Sequence, residues 1–434
     1  MTSSLPTQHD HRHALANELH ARPFPELRAP CRAVHLAFMQ SNLAAERDPE
    51  TDRAHLRALL DRHGAQHPAP GADHWMGRLG RAELKWERHT EFVTYTLFLD
   101  GEGEVPFDGA PLALLPRDWL DKAPGVVVSA SLVHIAAAAP GQDPEEVLVA
   151  GLEDHFVRES LAVARILDGD TIAGSDFRIH EDGMSRILVI ASPELGPRRL
   201  GRSVQRLMEM ETYASISMLT LPVARRVSGR LAEIDRELST LAQSIAADGA
   251  TAREQLHALT SLSAEIERMS AESAFRFGAA QAYEAIVAER IDVLRETRLH
   301  GRQTMREFML RRYKPAMRTC RAAERRLAEL SDRAARIANL LRTRVDVGMT
   351  AQNQALLESM DRRAALQLRL QETVEGLSVV AISYYAVSLG AYMLAPVAKG
   401  LGVDKPLLVA LIVVPVVLSV WGFMRRVKKK IGGH

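Results

Sequence analysis

Two runs near the C-terminus contain no Asp, Glu, Lys, Arg or His: residues 377–398, LSVVAISYYAVSLGAYMLAPVA, and residues 406–424, PLLVALIVVPVVLSVWGFM. No other feature restricts the fold as strongly. At 1.5 Å of rise per residue they extend roughly 33 and 28 Å as helices, which matches a hydrocarbon core of about 30 Å. A charge at mid-helix would cost about 2.5–3.5 kcal/mol on insertion, and neither run holds one. The pair reads as a transmembrane hairpin. The competing reading is a buried hairpin in a soluble core.

The flanks set an orientation. Arg362, Arg363 and Arg369 precede the first run, and Arg425, Arg426, Lys428, Lys429 and Lys430 follow the second. The connecting loop carries only Lys399, Asp404 and Lys405. Basic excess marks the cytoplasmic side, so both termini are expected in the cytoplasm and the protein in the inner membrane. Met1 to Pro30 is polar and lacks an apolar core of the secretory type, so no signal peptide is expected.

Proline usage divides the rest. Sixteen of twenty prolines lie at or before Pro222, and Pro315 is the only one between Pro222 and Pro396. Proline costs a helix interior about 3 kcal/mol, so the later stretch permits long helices. Leu231, Ile234, Leu238, Leu241 and Ile245 are spaced as a coiled-coil seam. Leu256, Leu259, Leu262, Ile266 and Met269 repeat the theme, and so do Leu327, Leu330, Ile337, Leu341 and Val345. From Ala316 to Ala395 one helix is expected to enter the membrane, with Gly348 and Gly376 as weak points.

Before residue 200 the pattern changes. β-rich runs occur at Ala33–Met39, Phe92–Leu99, Val126–Ile135 and Ile187–Ala191, with a turn at Glu181-Asp182-Gly183. Helical patterns occupy 51–63 and 144–167, the latter with Asp143 as N-cap and Pro144 at the first position. The expected fold is an α+β cytoplasmic domain with a mostly antiparallel sheet, a coiled-coil-like helical stalk and the hairpin. The expected divisions are 1–30 (a His-rich tail and docking segment), 31–200 (the α+β domain), 201–376 (the stalk), 377–424 (the hairpin) and 425–434 (a basic tail).

Catalytic signatures are missing. There is no Walker A run, no GxGxxG opening a helix, no GxSxG and no HExxH, so no catalytic residue and no cofactor is nominated. A net charge of +1 over 434 residues speaks against a nucleic-acid binder, and Cys31 and Cys320 are too few for a disulfide framework. Cys31 and His35 sit four apart in a strand, about 13 Å along it, and read as two packed side chains. His9, His11 and His13 form an HxHxH tract that could hold a transition metal loosely. His63, His67 and His74 lack that spacing. In Glu18–Pro25, ELHARPFP, Arg22-Pro23 forces an extended chain. That segment either docks the N-terminal helix or binds an anion through His20 and Arg22. Residues 306–344 carry twelve basic and four acidic side chains, read as a solvated face partly paired with acidic helices. In the first span, Ser378, Ala381, Tyr385, Ser388 and Tyr392 fall on one face, as helix packing or a pore lining would need.

The N-terminal ELHARPFPELRAP (Glu18–Pro30) and the stretch QNQALLESMDRRAALQLRLQETVEGLSVVAISYYAV (Gln352–Val387), with the basic end after Trp421, resemble the membrane-anchored bacterial proteins grouped as domain-of-unknown-function family 3422. That resemblance implies an inner-membrane protein and supplies no catalytic residues. The order of parts is also similar to the CorA-type magnesium transporters, whose first span lines a pentameric pore. Their Gly-Met-Asn tripeptide is missing here, where Gly390–Pro396 reads GAYMLAP.

The leading expectation is a membrane-anchored homo-oligomer, joined through the stalk and the first span, with a cytoplasmic sensing or scaffolding domain. Its partners are the lipid bilayer and, under the second resemblance, a divalent cation. A CorA-like cation channel and an enzyme in the α+β domain are the alternatives.

Overall fold

The computed structural model describes residues 8–18, 23–40, 47–169, 171–247, 251–400 and 404–431. It divides into two compact units, 1–337 and 338–434. The first unit opens with α1 (Arg12–Glu18), β1 (Cys31–Met39), α2 (Pro49–Arg62), β2 (His74–Leu79), β3 (Ala82–Arg88) and β4 (Phe92–Asp100). It continues with α3 (Arg117–Leu120), β5 (Val126–Ala137), α4 (Pro144–Val149), β6 (Ala162–Ile166), β7 (Thr171–Ser175) and β8 (Ser185–Ala191). The helices α5 (Pro197–Met218), α6 (Thr220–Ala246) and α7 (Ala252–Leu294) follow, then the short β9 (Thr297–Arg298). Two further helices, α8 (Met305–Gly400) and α9 (Lys405–Ile431), complete the chain.

The strands form one mixed sheet in the order β2-β3-β4-β1-β5-β8-β7-β6-β9. Among the strand pairs of the described residues only β5–β8 is parallel, so the sheet is mostly antiparallel, as expected for the α+β class. Both faces are covered. Leu56, Leu59 and Leu60 of α2, Trp119 of α3 and Leu148 of α4 pack with Val34, Leu36, Leu84, Leu97 and Leu188 on one side. Leu200, Val204 and Leu207 of α5 pack with Ala33, Val133, Ile187 and Val189 on the other. Each such aliphatic side chain contributes about 1.5–3 kcal/mol by leaving water. Coverage on both sides explains why β1 reads as a continuous buried run rather than an alternating one.

The four expected strands are present within β1, β4, β5 and β8. The helix expected over 144–167 ends at Val149. Gly151 takes φ 132, outside the helical region, and Ala162–Ile166 pairs with β7 as a strand. Its cap is as read: Asp143 accepts from Glu145 N with Pro144 behind it. Gly183 takes φ 79 at the expected turn, but the strand before it is Thr171–Ser175 and not the FRIH run. Strands β2, β3, β6, β7 and β9 lie outside the expected set.

Among the long helices, Leu231, Ile234, Leu238 and Leu241 are buried on α6, and Leu259, Leu262, Ile266 and Met269 on α7. Leu256 departs from the expected seam and is exposed, one turn after the N-cap Thr251. The pairs Arg230–Glu265 and Gln255–Ser244 place α6 and α7 antiparallel. Leu327, Leu330, Ile337 and Leu341 are buried on α8, whereas Val345 is exposed. This helix starts at Met305 and passes through Pro315, Gly348 and Gly376 without a break. The boundary expected near residue 200 falls inside the first unit, because α5 lies on the sheet.

Candidate functional site

The face of the sheet under α5 is not uniformly apolar. Lys85 of β3 is the cross-strand partner of Thr96 on β4, and Thr96 is the partner of His35 on β1. His35 is the partner of Ser131 on β5, and Ser131 of Ser185 on β8. Direct partners project to the same face, so five polar side chains form one row across five strands. Glu87, Thr94 and Ser129 lie beside it, also buried.

Polar side chains of α5 reach down to this row. Thr212 Oγ1 lies 3.0 Å from His35 Nε2, while Thr96 Oγ1 lies 2.7 Å from His35 Nδ1. Lys85 Nζ donates to Gln205 Oε1 at 2.6 Å and is 3.1 Å from the Glu87 carboxylate. Gln205 Nε2 donates in turn to Glu209, which is paired with Arg290 of α7 at 2.5 Å. At the other end Ser185 donates to Glu211, and 3.0 Å separates Ser185 Oγ from Ser131 Oγ.

Burial sets the protonation states. The His35 imidazole is pushed down to about 4 by burial, with the Lys85 charge acting in the same direction. It is therefore neutral at physiological pH. The Glu211 carboxyl is pushed up to about 7 by burial; hydrogen bonds from Ser185 and Ser131 oppose that rise, and Asp176 adds to it. Glu211 Oε2 is buried and has no hydrogen-bond partner among the described residues. The recess at the Lys85 end holds about 20 Å³, room for one water. The recess leaves no space at that end for an organic substrate. His35 bonds to two threonines and to neither serine, so no Ser–His nucleophile is assembled.

The sites expected from sequence fall elsewhere. Cys31 and His35 share a face without touching, and burial, then Asp100, pushes the Cys31 thiol up to about 12. His9 and His11 are exposed, with His11 N donating to His9 Nδ1 at 3.2 Å, and His13 is exposed on α1. Among the described residues no group of three His, Cys, Asp or Glu side chains is placed to hold a metal ion. His20 and Arg22 lie outside the described residues. The chain just after them docks on α5: Leu27 is buried, Leu27 N donates to Pro197 O at 3.2 Å, and Glu26 pairs with Arg198 at 2.6 Å. The basic run on α8 is partly neutralised, Arg321 by Glu284 of α7 and Arg326 and Arg333 by Asp235 of α6.

In the second unit Gly390 faces Ile412, so that an added Cβ would lie 3.6 Å from Ile412 Cγ2. Ser383 is buried. The stripe of Ser378, Ala381, Tyr385, Ser388 and Tyr392 is turned differently: Tyr385 and Tyr392 are 67% and 76% exposed, and Ala381 is exposed. Ser378 and Ser388 are half-buried, so the stripe is only partly turned outward.

A family model described as a protein of unknown function, DUF3422, matches residues 7–431. The chain belongs to the DUF3422 family. No curated protein and no solved structure matches it, so the likeness to CorA-type transporters has no support beyond the order of the parts.

The polar row left a trace in the sequence. His35 stands between Ala33 and Ala37, Thr94 and Thr96 alternate with apolar residues, and Ser129 and Ser131 do the same. Polar residues on one parity of a buried strand mark a polar strip. Their alignment across five strands depends on register, which one strand's sequence does not contain.

Proposed function

We propose that this protein is anchored in the inner membrane by α9 and the end of α8, with both termini and the α+β unit in the cytoplasm, where that unit senses or scaffolds. The observation that carries the reading is where the apolar side chains of the second unit point. Leu377, Tyr385, Met393, Leu411, Leu418 and Phe423 are 61–75% exposed, whereas the aliphatic residues of the first unit's core are buried. Water does not tolerate an apolar surface of that extent, and lipid does. Both helices are long and apolar enough to cross a membrane. Ring–cation pairs stand at both ends, Lys405 Nζ 5.8 Å from the Tyr392 ring and Arg425 5.0 Å from the Trp421 ring. Aromatic and basic residues at such positions suit a membrane interface.

The homo-oligomeric part of the proposal rests on two exposed surfaces. Ala381, Tyr385 and Tyr392 of the Ser378–Tyr392 stripe are exposed, while Gly390 faces Ile412. Upstream, Leu356, Leu357, Met360, Leu366 and Leu370 are 62–67% exposed on a helix that lacks cover there. Second copies of the chain would bury both. The same stripe favours the second reading, a cation path lined by hydroxyls as in CorA-like channels, because its tyrosines are exposed where copies would meet.

Membrane fractionation with alkaline carbonate tests the anchor. The full chain should stay with the pellet, and a chain ending at residue 376 should not. Recovery of the full chain in the soluble fraction would sink the reading. Native mass spectrometry in detergent tests assembly, and a monomer would remove the oligomeric part.

A further inference from the structure

We propose that the loop between β4 and α3 closes an oxyanion-binding site built on the sheet by Arg32, His134 and Arg186, in which the loop's own Asp108 stands where a ligand carboxylate or phosphate binds. The site lies on the face opposite the polar row. Arg32 of β1 is the direct cross-strand partner of His134 on β5. Arg186 of β8 is the partner of Leu132, two residues from His134 on the same face. Two guanidinium groups and an imidazole thus sit side by side on a sheet whose neighbouring positions are apolar.

The charges there are incompletely met. Arg32 is satisfied by the loop alone: NH1 pairs with Asp108 Oδ2 at 2.5 Å and Nε donates to Gly101 O at 3.2 Å. Arg186 NH1 donates to His155 O at 2.7 Å, its nearest carboxylate is Asp182 at 3.7 Å, and its Nε is buried with no partner among the described residues. His134 is buried and its Nδ1 also lacks a partner among the described residues. Burial holds this imidazole below its ordinary value, with Glu102 opposing and His155 and Arg32 assisting that shift. Buried polar groups in native structures are almost always paired, and orphaned ones need a reason. Here two orphans and a replaceable ion pair converge on one place.

What fills that place is Phe107. Its ring lies 5.5 Å from the His134 ring, 5.9 Å from the His155 ring and 5.6 Å from the Arg186 guanidinium. Phe107 takes φ 61, a left-handed backbone that a bulky side chain adopts at a cost. The loop is also shaped around the ion pair. At Gly103 an added Cβ would overlap Asp108 Oδ2 and stand 2.7 Å from Arg32 NH1. Asp100, Glu102, Glu104 and Asp108 make the segment acidic. An acidic loop held in a strained conformation over two arginines and a histidine is an internal stand-in for an anionic ligand. Guanidinium groups bind carboxylate and phosphate through the same planar donors, which gives the ligand class. The oxyanion is the ligand class of the cytoplasmic unit, whose sensing role alone rests on the proposed function.

The test uses the full-length protein in detergent, with inorganic phosphate and succinate as separate probes that distinguish the two oxyanions. Asp108→Asn should bind at least one probe ten times more tightly than the wild type, and adding Arg186→Gln should abolish the gain. Gly103→Ala, which displaces Asp108 without changing any charge, should give a gain in the same direction. An equal gain from Glu104→Gln would mean a general charge effect and would overturn the site. So would a gain that survives Arg186→Gln. In the wild type, either probe should move the His134 ring resonances, and a spectrum moved by neither overturns the site without recourse to a variant. Loss of membrane retention would leave these outcomes standing, and the reverse is also true.

Discussion

The Gly201 main chain on α5 lies directly against the carbonyl of Pro25. An added Cβ would overlap that oxygen and stand 2.8 Å from its carbon. The contact joins the N-terminal segment to the first turns of α5, where Leu27 is buried and Glu26 reaches Arg198. Gly201 is therefore a packing residue in the second turn of a helix, at a place where alanine would otherwise be preferred by about 1 kcal/mol.

Gly201→Ala should destabilise the protein by about 1–3 kcal/mol, because the clash outweighs the gain in helix propensity. It should also free the segment from Pro23 to Pro30. Thermal melting and the rate of tryptic cleavage after Arg28 report the two effects. An unchanged melting temperature with unchanged cleavage would show that the Pro25 contact is dispensable.

Glu211 should make stability depend on pH near neutrality. Its folded value is raised to about 7, above the unfolded carboxyl. The unfolded state thus loses its proton first, and stability falls as pH rises from the ordinary carboxylate range to about 7, then levels off. The total loss is roughly 3 kcal/mol. Glu211→Gln should abolish that slope, leaving the variant more stable than the wild type at pH 8 and little changed at pH 5. Melting curves across that range decide it.

His35 carries the opposite slope. Its folded value is lowered to about 4, below that of the unfolded imidazole, so its contribution is present above the ordinary histidine value and is lost as pH falls through 4. In NMR spectra of labelled histidine, the His35 ring should stay neutral at pH 5.5. A His35 midpoint near 6.5 would contradict its burial between Thr96 and Thr212.

Arg47 and Asp52 form a pair with almost no exposure, Nε to Oδ2 at 2.7 Å, and Arg47 also donates to Pro124 O at 2.9 Å. Arg47→Met should cost about 3–5 kcal/mol by stranding the Asp52 charge. Replacing both partners, Arg47→Met with Asp52→Leu, should recover most of that loss. Denaturant midpoints of the three variants form the double-mutant cycle.

Caps and parities could be read directly from the chain. Asp48-Pro49 starts α2 and Asp143-Pro144 starts α4 because a carboxylate before a proline satisfies the first helical N–H groups and presets the first φ. Where α4 stops was not legible. Residues 144–167 keep a helical spacing, yet Ala162–Ile166 is held as a strand by β7, which lies ahead of it in sequence. Likewise β2 and β3, with Gly77 under the Trp75 ring, are too polar on one side to stand out. The Arg32–His134–Phe107 cluster left no linear trace, since its residues come from three separate stretches.

The sequence by itself determined the two charge-free apolar runs, the proline-poor helical half and the α+β class, because these follow from hydropathy and backbone propensity over neighbouring residues. Tertiary structure alone decided that Lys85, Thr96, His35, Ser131 and Ser185 share one row, that Glu211 and Thr212 of α5 meet it, and that Asp108 closes on Arg32. The physical reason is register. A strand's own pattern says which side chains share a face, but not which rung of the neighbouring strand they oppose. That choice is made by the whole sheet packing against its helices.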